Sequence, residues 1–477
     1  MTALSAPRHF EYVEGWGMAV GHHARVLRPR SADELAACFA AARAEGVRLC
    51  LRGGGNSYGD ANTTDRGHVL DVSRMNRVLA FDEASGRVEA EGGVTIEQLW
   101  KRVLPHGFWP RVVSGTMFPT LAGAAAANIH GKNNFAVGTI GDAIVEFDLC
   151  TPAGELLTCS RTADADLFHA AIGGFGMLGA ITRVVLDTKR VHSGDLWVRG
   201  VSVRNLGEMM AHMDAHKGTA DYLVGWLDAF ADEQESGRGL IHEAHYLAPG
   251  EDREPERTLR IEHQELPANI LGLFPKSEVW RILRLFNNDP GMRLVNAVKY
   301  QAGRMEAFKG RFRQSHAGFA FLLDYVPNWK FAYGRARGER GLIQYQPFLP
   351  AAVAHDVLQD LLARARRAEL VPYLGVLKRH RPDPFWLTHA VDGWSLAMDF
   401  KVQPSTRAAL WRLCREMTEV VLDAGGRFYF AKDLVVSAAD TERFLPADKL
   451  AAFRALKRRH DPEGLLASDL SRRVLGW

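Results

Sequence analysis

The sequence predicts an α+β protein of two or three domains, and three observations carry that prediction. At 477 residues the chain exceeds what a single hydrophobic core serves. Up to about residue 190, short strand-like runs alternate with segments of helical spacing. From Trp197 to about Gly425 the strands carry more aromatics, and the stretch from Gly426 returns to a compact pattern.

The elements follow in order. Residues 32–46 have helical spacing, with Ser31 placed to cap the start and Gly46 to stop it. Val47–Leu51 alternates like a short strand and delivers a glycine-rich loop. Strand-like runs follow at Val69–Val72, Val78–Phe81 and Arg87–Glu91, then a helix from Thr95, where Thr95 and Gln98 fit a capping box. Leu121–Asn128 is rich in small residues and reads as a helix packed closely on something flat. Thr151–Gly154 is a hairpin turn, and Ala165–Ile172 is helical. Ala248–Leu266 is charged and Pro-containing, the pattern of a mobile surface loop. After Gly426–Asp433 a helix is expected through Lys457.

Composition narrows the possibilities. A hydrophobic share of 47% and a charged share of 24% are ordinary for a soluble globular protein, and a net charge of +3 is too small to argue for nucleic acid. Five scattered cysteines (Cys38, Cys50, Cys150, Cys159, Cys414) with no CxxC read as reduced thiols in a cytoplasmic protein. The first ten residues show no secretory h-region. No window approaches the ~18 consecutive apolar residues of a spanning helix, so membrane contact is expected to be peripheral at most.

Two stretches carry most of the chemical information: Arg52-Gly-Gly-Gly-Asn-Ser-Tyr-Gly-Asp60 and Asn128-Ile-His-Gly-Lys-Asn-Asn134. Glycines let backbone N–H groups approach a charged group, and successive amides in a turn form an anion site. Together with a third glycine-rich stretch, Gly173–Gly179, they point to a large phosphate-bearing cofactor. Gly174-Phe-Gly-Met-Leu-Gly179 also matches GxGxxG, but a Rossmann site needs a strand before the loop and a helix after it, and here the order is reversed. His242-Glu-Ala-His245 invites a metal reading, yet its spacing shows no further ligands, so no metal site is expected.

The order and wording of these loops resemble the FAD domain of the vanillyl-alcohol oxidase/p-cresol methylhydroxylase superfamily. Within it the chain resembles the decaprenylphosphoryl-ribose 2′-oxidase family, from Gly15-Trp-Gly17 through Leu470-Ser-Arg-Arg473. The resemblance implies an FAD domain of two α+β subdomains over residues 1–192, a substrate domain with an antiparallel sheet over 193–425, and a C-terminal segment, 426–477, that returns to the FAD domain. It implies oxidation of a secondary alcohol of a sugar, such as a polyprenyl-phosphate-linked pentose, by hydride transfer to flavin N5. Oxygen or a quinone would take the electrons. A short-chain reductase would then complete an epimerisation, with the enzyme cytoplasmic and at most peripheral at the inner membrane. An aldonolactone or alditol oxidase of the same superfamily, or a non-catalytic flavoprotein subunit, remains open.

Residue by residue, the resemblance assigns cofactor contacts to Arg52, Gly53, Gly54, Gly55, Asn56, Ser57, Tyr58, Gly59 and Asp60. It adds Gly115, Thr116, Thr120, Gly123, Ala127, Asn128, Gly131, Gly176, Ile181 and Tyr429. Tyr58 stands where members with covalent flavin often have histidine, so the FAD is expected to be non-covalent. Lys432 and His130 are the expected catalytic groups: a lysine near a flavin can stabilise developing negative charge or accept the alcohol proton if its pKa is lowered. Lys132, Gln344, Gln346 and Lys378 are expected to meet substrate; Gln344 and Gln346 alternate on a strand and share one face. The basic cluster Lys378–Arg381 and the loop 248–266 are the surfaces expected to meet a bilayer. Departures from the family pattern fall in the substrate half, at Ala397, Ser395 and Ala320, where its actinobacterial members have cysteine, asparagine and tyrosine.

Overall fold

A computed structural model describes residues 10–231, 234–270, 274–308, 310–334 and 340–477. Its α+β architecture rests on three main sheets. The first is four-stranded. The hairpin Phe10–Glu14 and Gly21–Leu27 is followed by Gly67–Asp71 and then Arg48–Arg52, the last two joining in parallel. A parallel crossover needs a helix, and Ala32–Ala44 supplies it. The Ser31 side chain accepts from Glu34 N–H, and Leu35, Cys38, Phe39 and Ala42 are buried.

The second sheet runs Val78–Phe81, Arg87–Glu91, Ala180–Arg190, Ile144–Cys150, Leu156–Ser160, all antiparallel, and Phe108–Pro110 also pairs with Ala180–Arg190. The capping box at Thr95 and Gln98 opens the helix Ile96–Val103. The small-residue helix is shorter than its spacing predicts, Leu121–Ala126, because Asn128 turns into the left-handed region at φ 45°. Its small side chains permit a close approach: a Cβ added at Gly92 would lie 2.9 Å from Ala122 Cβ.

The third sheet has nine antiparallel strands spanning Asp195–Val203 to Arg427–Phe428. The C-terminal stretch then returns to the first sheet, where Leu49 N–H donates to Leu465 (2.8 Å) and Ala467 N–H to Leu49 (2.9 Å). Arg473 completes the closure. Its guanidinium makes two 2.8 Å bonds to the Asp60 carboxylate and one of 2.7 Å to Asp433, clamping the first glycine loop to the segment that carries Lys432.

Three expectations change. Residues 248–266 do not form a loose loop: they carry the short helices Pro255–Thr258 and Ile261–Gln264, and buried Asp252 binds Thr258 (2.6 Å) and Arg313 (2.8 Å). The helix expected through Lys457 is two helices, Ala438–Phe444 and Ala447–His460, because Pro446 has no N–H to continue the first. Lys378–Arg381 is not a solvated basic face. It ends the strand Leu374–His380 inside the large sheet, and Arg379 is buried between Asp214 and Asp392.

Candidate active site

The three glycine loops and the large sheet enclose a cavity of about 410 Å³, within the range that holds small molecules and cofactors. The first loop enters from the strand Arg48–Arg52. Gly55 sits at φ 68°, and a Cβ there would lie 2.2 Å from the Arg52 guanidinium, which folds back to the Glu14 carbonyl and to Asn62 Oδ1 (2.8 Å). At Gly53 a Cβ would lie 2.3 Å from Thr120 Oγ1. Backbone therefore forms this wall, as a cradle for phosphate oxygens requires. Gly176, at φ 72°, brings in the third loop, and Phe175 N–H is held by the Ala126 carbonyl at 2.9 Å. The helix Ala165–Ala171 precedes that loop and the strand Ala180–Arg190 follows it, the reverse of a dinucleotide fold.

The cavity gathers nearly all of the residues expected from the sequence. Arg52–Tyr58, Gly115, Thr116, Thr120, Gly123, Ala127, Gly131, Gly176, Ile181 and Tyr429 line it, as do His130, Lys432, Lys132, Gln344, Gln346 and Lys378. Gly59, Asp60 and Asn128 do not. Gly59 packs against the Asp433 carbonyl, and Asp60 is taken up by Arg473. Asn128 spends its amide on Asp383 (3.0 Å) and on Gly141 N–H (3.2 Å). All three position the loops instead of facing the cavity.

Lys432 lies in the turn after Tyr429, with its backbone N–H on the Tyr429 carbonyl at 2.9 Å. Its Nζ stands 3.8 Å from the centre of the Tyr58 ring, and Tyr58 N–H in turn donates to Ala431 (2.8 Å). Burial pushes the Lys432 ammonium well below its ordinary range, opposed by the charge of Asp399. Burial raises Asp399 in the same manner; one oxygen accepts from Gln344 at 2.5 Å, and the other has no hydrogen-bond partner among the described residues. The two groups are therefore linked through their charges, the mark of a functional pair.

His130 is buried and held well below its usual value, first by desolvation and then by the charge of Lys378, so it is a neutral imidazole. A polar chain stands behind it. Asn134 Oδ1 accepts from His380 Nδ1 (2.9 Å), which leaves His380 Nε2 to accept the Ser395 hydroxyl (2.7 Å). Ser395 then accepts from Gln346 (3.0 Å), whose amide also reaches toward His130 Nε2 (3.5 Å). Serine at 395 is thus an internal link of the site, while Ala397 lines the cavity itself.

Cations dominate the remaining wall. Lys132 donates to the Phe319 carbonyl, and burial lowers it to about 7; burial lowers Lys378 to about 8. Lys299, from the helix Asp289–Ala307, adds a fourth ammonium 4.3 Å from the centre of the Trp226 ring. No carboxylate lines the cavity among the described residues. Sequence reading did not find Lys299, Trp226, Asp399 or His380, because each reaches the site through strand pairing or helix packing with no local motif to mark it.

This cradle and cavity suit a phosphate-bearing cofactor. Residues 23–160 match the family model of an FAD binding domain, and the chain is an FAD-dependent oxidoreductase. The chain is 28% identical over 483 residues to decaprenylphosphoryl-beta-D-ribose oxidase of Mycolicibacterium smegmatis, covering 99% of each protein. It is 25% identical to L-gulono-1,4-lactone dehydrogenase of Mycobacterium tuberculosis over 94% of this chain and 96% of the relative. It is 34% identical to cytokinin dehydrogenase 7 of Oryza sativa subsp. japonica over 36% of this chain and 34% of the relative. The resemblance to the decaprenylphosphoryl-ribose oxidase family, within the vanillyl-alcohol oxidase/p-cresol methylhydroxylase superfamily, is borne out along the whole chain.

Proposed function

We propose that the chain oxidises a secondary alcohol of a phosphate-linked sugar, a polyprenylphosphoryl pentose, to the ketone, as the first half of an epimerisation. The carrying observation is the cavity wall: Lys132, Lys299, Lys378 and Lys432 with no lining carboxylate. Lys432 has the charge of Asp399 behind it, but Lys132, Lys299 and Lys378 are desolvated with no lining carboxylate, and an anionic ligand relieves that cost. A neutral lactone would leave it in place, which weighs against the lactone dehydrogenase reading. Similarity to a lipid-linked sugar oxidase over 99% of the chain supports the same substrate class.

In this reading Arg52–Tyr58, Gly115, Thr116, Thr120, Gly123, Ala127, Gly131, Gly176, Ile181 and Tyr429 hold FAD, which when bound supplies the hydride acceptor. Tyr58 in place of a histidine, and a wall lined by no cysteine among the described residues, support non-covalent binding. Lys378 and Lys132 hold the phosphate, and Gln344 and Gln346 orient the sugar. Lys432 Nζ, made less basic by burial, takes the hydroxyl proton, with Asp399 next to receive it. Neutral His130 fixes the carbinol through a hydrogen bond. The chain divides as 1–192 for the cofactor, 193–425 for the substrate and 426–477 as the closing segment. Oxygen or a quinone re-oxidises the enzyme, and a short-chain reductase consumes the ketone. Product mass is the test: the sugar should lose two hydrogens, and an unchanged sugar-phosphate in the presence of an acceptor would sink the proposal.

A peripheral bilayer contact fits this substrate, but through a different surface from the one expected. No helix among the described residues is long and apolar enough to cross a membrane. The helix Asp289–Ala307 instead exposes Leu294, Val298 and Met305 on one stripe that Phe308 continues, and Ile282 and Leu285 are exposed nearby in sequence. Arg281, Arg284, Arg293 and Arg304 accompany them, the composition of an interfacial helix pair. Lys299 of the same helix lines the cavity, so the helix that carries the stripe also reaches the cavity wall.

A further inference from the structure

Strand alternation divides the motif His242-Glu-Ala-His245 between two faces. His242 lines the cavity, while Glu243 and His245 face the other side. There they meet the helix Leu206–His216, whose His212 and His216 are four residues apart and so share one helical face. The fold thereby brings beside Glu243 the polar neighbours that the sequence spacing lacked. His212 Nε2 lies 3.1 Å and His216 Nδ1 2.6 Å from the same carboxylate oxygen, Glu243 Oε2. The two rings are 4.1 Å apart between centroids.

We propose that His212, His216 and Glu243 form a site for a divalent transition-metal ion of the zinc class, on the face of the large sheet opposite the cavity. The donor set is two imidazoles and one carboxylate, with all three ligand atoms within 4.8 Å of one another. Tetrahedral zinc with bonds of ~2.0–2.2 Å holds its ligands roughly 3.3 Å apart, so small ring rotations admit the ion. His245 Nε2 holds the other carboxylate oxygen, Oε1, at 3.0 Å. It leaves Oε2 free to coordinate, as an outer partner of a ligand does. The His212 and His216 side chains stay partly open, at 18% and 33% exposure, which gives the ion an entrance and a water the fourth position. The consequence is mechanical. Met209 of the same helix presses on Gly225, which lines the cavity, so a metal bound here pins the helix behind the cavity wall.

The test uses tag-free, FAD-replete protein dialysed free of metal and titrated with zinc chloride, with Co²⁺ as a spectroscopic probe. One zinc per chain should bind, Co²⁺ should give the intense visible bands of a tetrahedral site, and about 100 μM zinc should raise the melting temperature. The His212→Gln/His216→Gln variant, and separately Glu243→Gln, should lose this binding by at least about 100-fold, and His245→Gln should weaken it by about 10–100-fold. Flavin content and circular dichroism check folding, and the wild-type Co²⁺ spectrum stands whether or not a variant folds. Zinc that binds the double variant as tightly as wild type, or a wild type with no saturable binding and only weak Co²⁺ bands, would overturn the proposal.

Discussion

Replacing Lys432 by methionine separates its chemical role from its structural one. The lysine stands 3.8 Å from the centre of the Tyr58 ring and interacts with the buried Asp399. Losing a positioned proton acceptor costs on the order of 10²–10⁴ in rate, roughly 3–5 kcal/mol of barrier. A second effect accompanies it. Asp399 keeps its bond from Gln344 but loses its cation, and an uncompensated buried carboxylate costs ~3–5 kcal/mol unless it takes up a proton. Since burial already raises Asp399, it should protonate, and the stability loss of Lys432→Met should be smaller than that range and should diminish as pH falls. The double variant Lys432→Met/Asp399→Asn should recover stability and remain slow. Anaerobic stopped-flow absorbance of the flavin band measures the chemical step, and urea unfolding across pH measures the other. Wild-type flavin reduction in an FAD-replete Lys432→Met, or a double variant that recovers both rate and stability, refutes the assignment and moves the proton to His130.

Other consequences are equally concrete. Lys132 falls from 10.5 to about 7 on folding, so between those values the unfolded chain binds more protons and its contribution to stability rises with pH. Relative to Lys132→Met, the apo protein should therefore gain at most about 2–3 kcal/mol between pH 7 and 9, at ~1.4 kcal/mol per unit; an equal pH slope in both proteins contradicts the burial of this cation. Acid precipitation should release flavin with the mass of free FAD, whereas flavin retained in the pellet would show a covalent link. Val298→Glu/Met305→Glu should lose binding to anionic liposomes while flavin content and reduction by a soluble short-chain substrate stay unchanged; undiminished liposome binding removes the helix stripe from the account.

Local sequence marked what local backbone chemistry decides. The glycines of 53–55 and 173–179 had to be close-approach turns, and the alternation of Gln344 and Gln346 put both in one wall. Thr95 with Gln98 and Ser31 with Glu34 fixed helix starts for the same reason. Long-range packing decided the rest. Lys378–Arg381 read as a basic surface for a bilayer, but the strand runs inside a sheet: Lys378 enters the cavity, where a substrate contact was expected, and Arg379 is buried. Asp60 looked like part of a cofactor loop because nothing nearby in sequence announces Arg473, which claims it. The partners of Glu243 lie on a helix that only the folded sheet brings beside it.

The central claim is that this cavity oxidises a sugar recognised through its phosphate, and one anaerobic comparison addresses it. The FAD-replete enzyme is mixed with a polyprenylphosphoryl pentose, with the same pentose lacking phosphate, and with L-gulono-1,4-lactone, while flavin absorbance is followed. Rapid bleaching by the phosphate-linked sugar is predicted, with both neutral compounds slower by about 10² or more, and Lys378→Met should erase much of that preference. Bleaching by the lactone at a rate equal to or above that of the phosphate-linked sugar would contradict it.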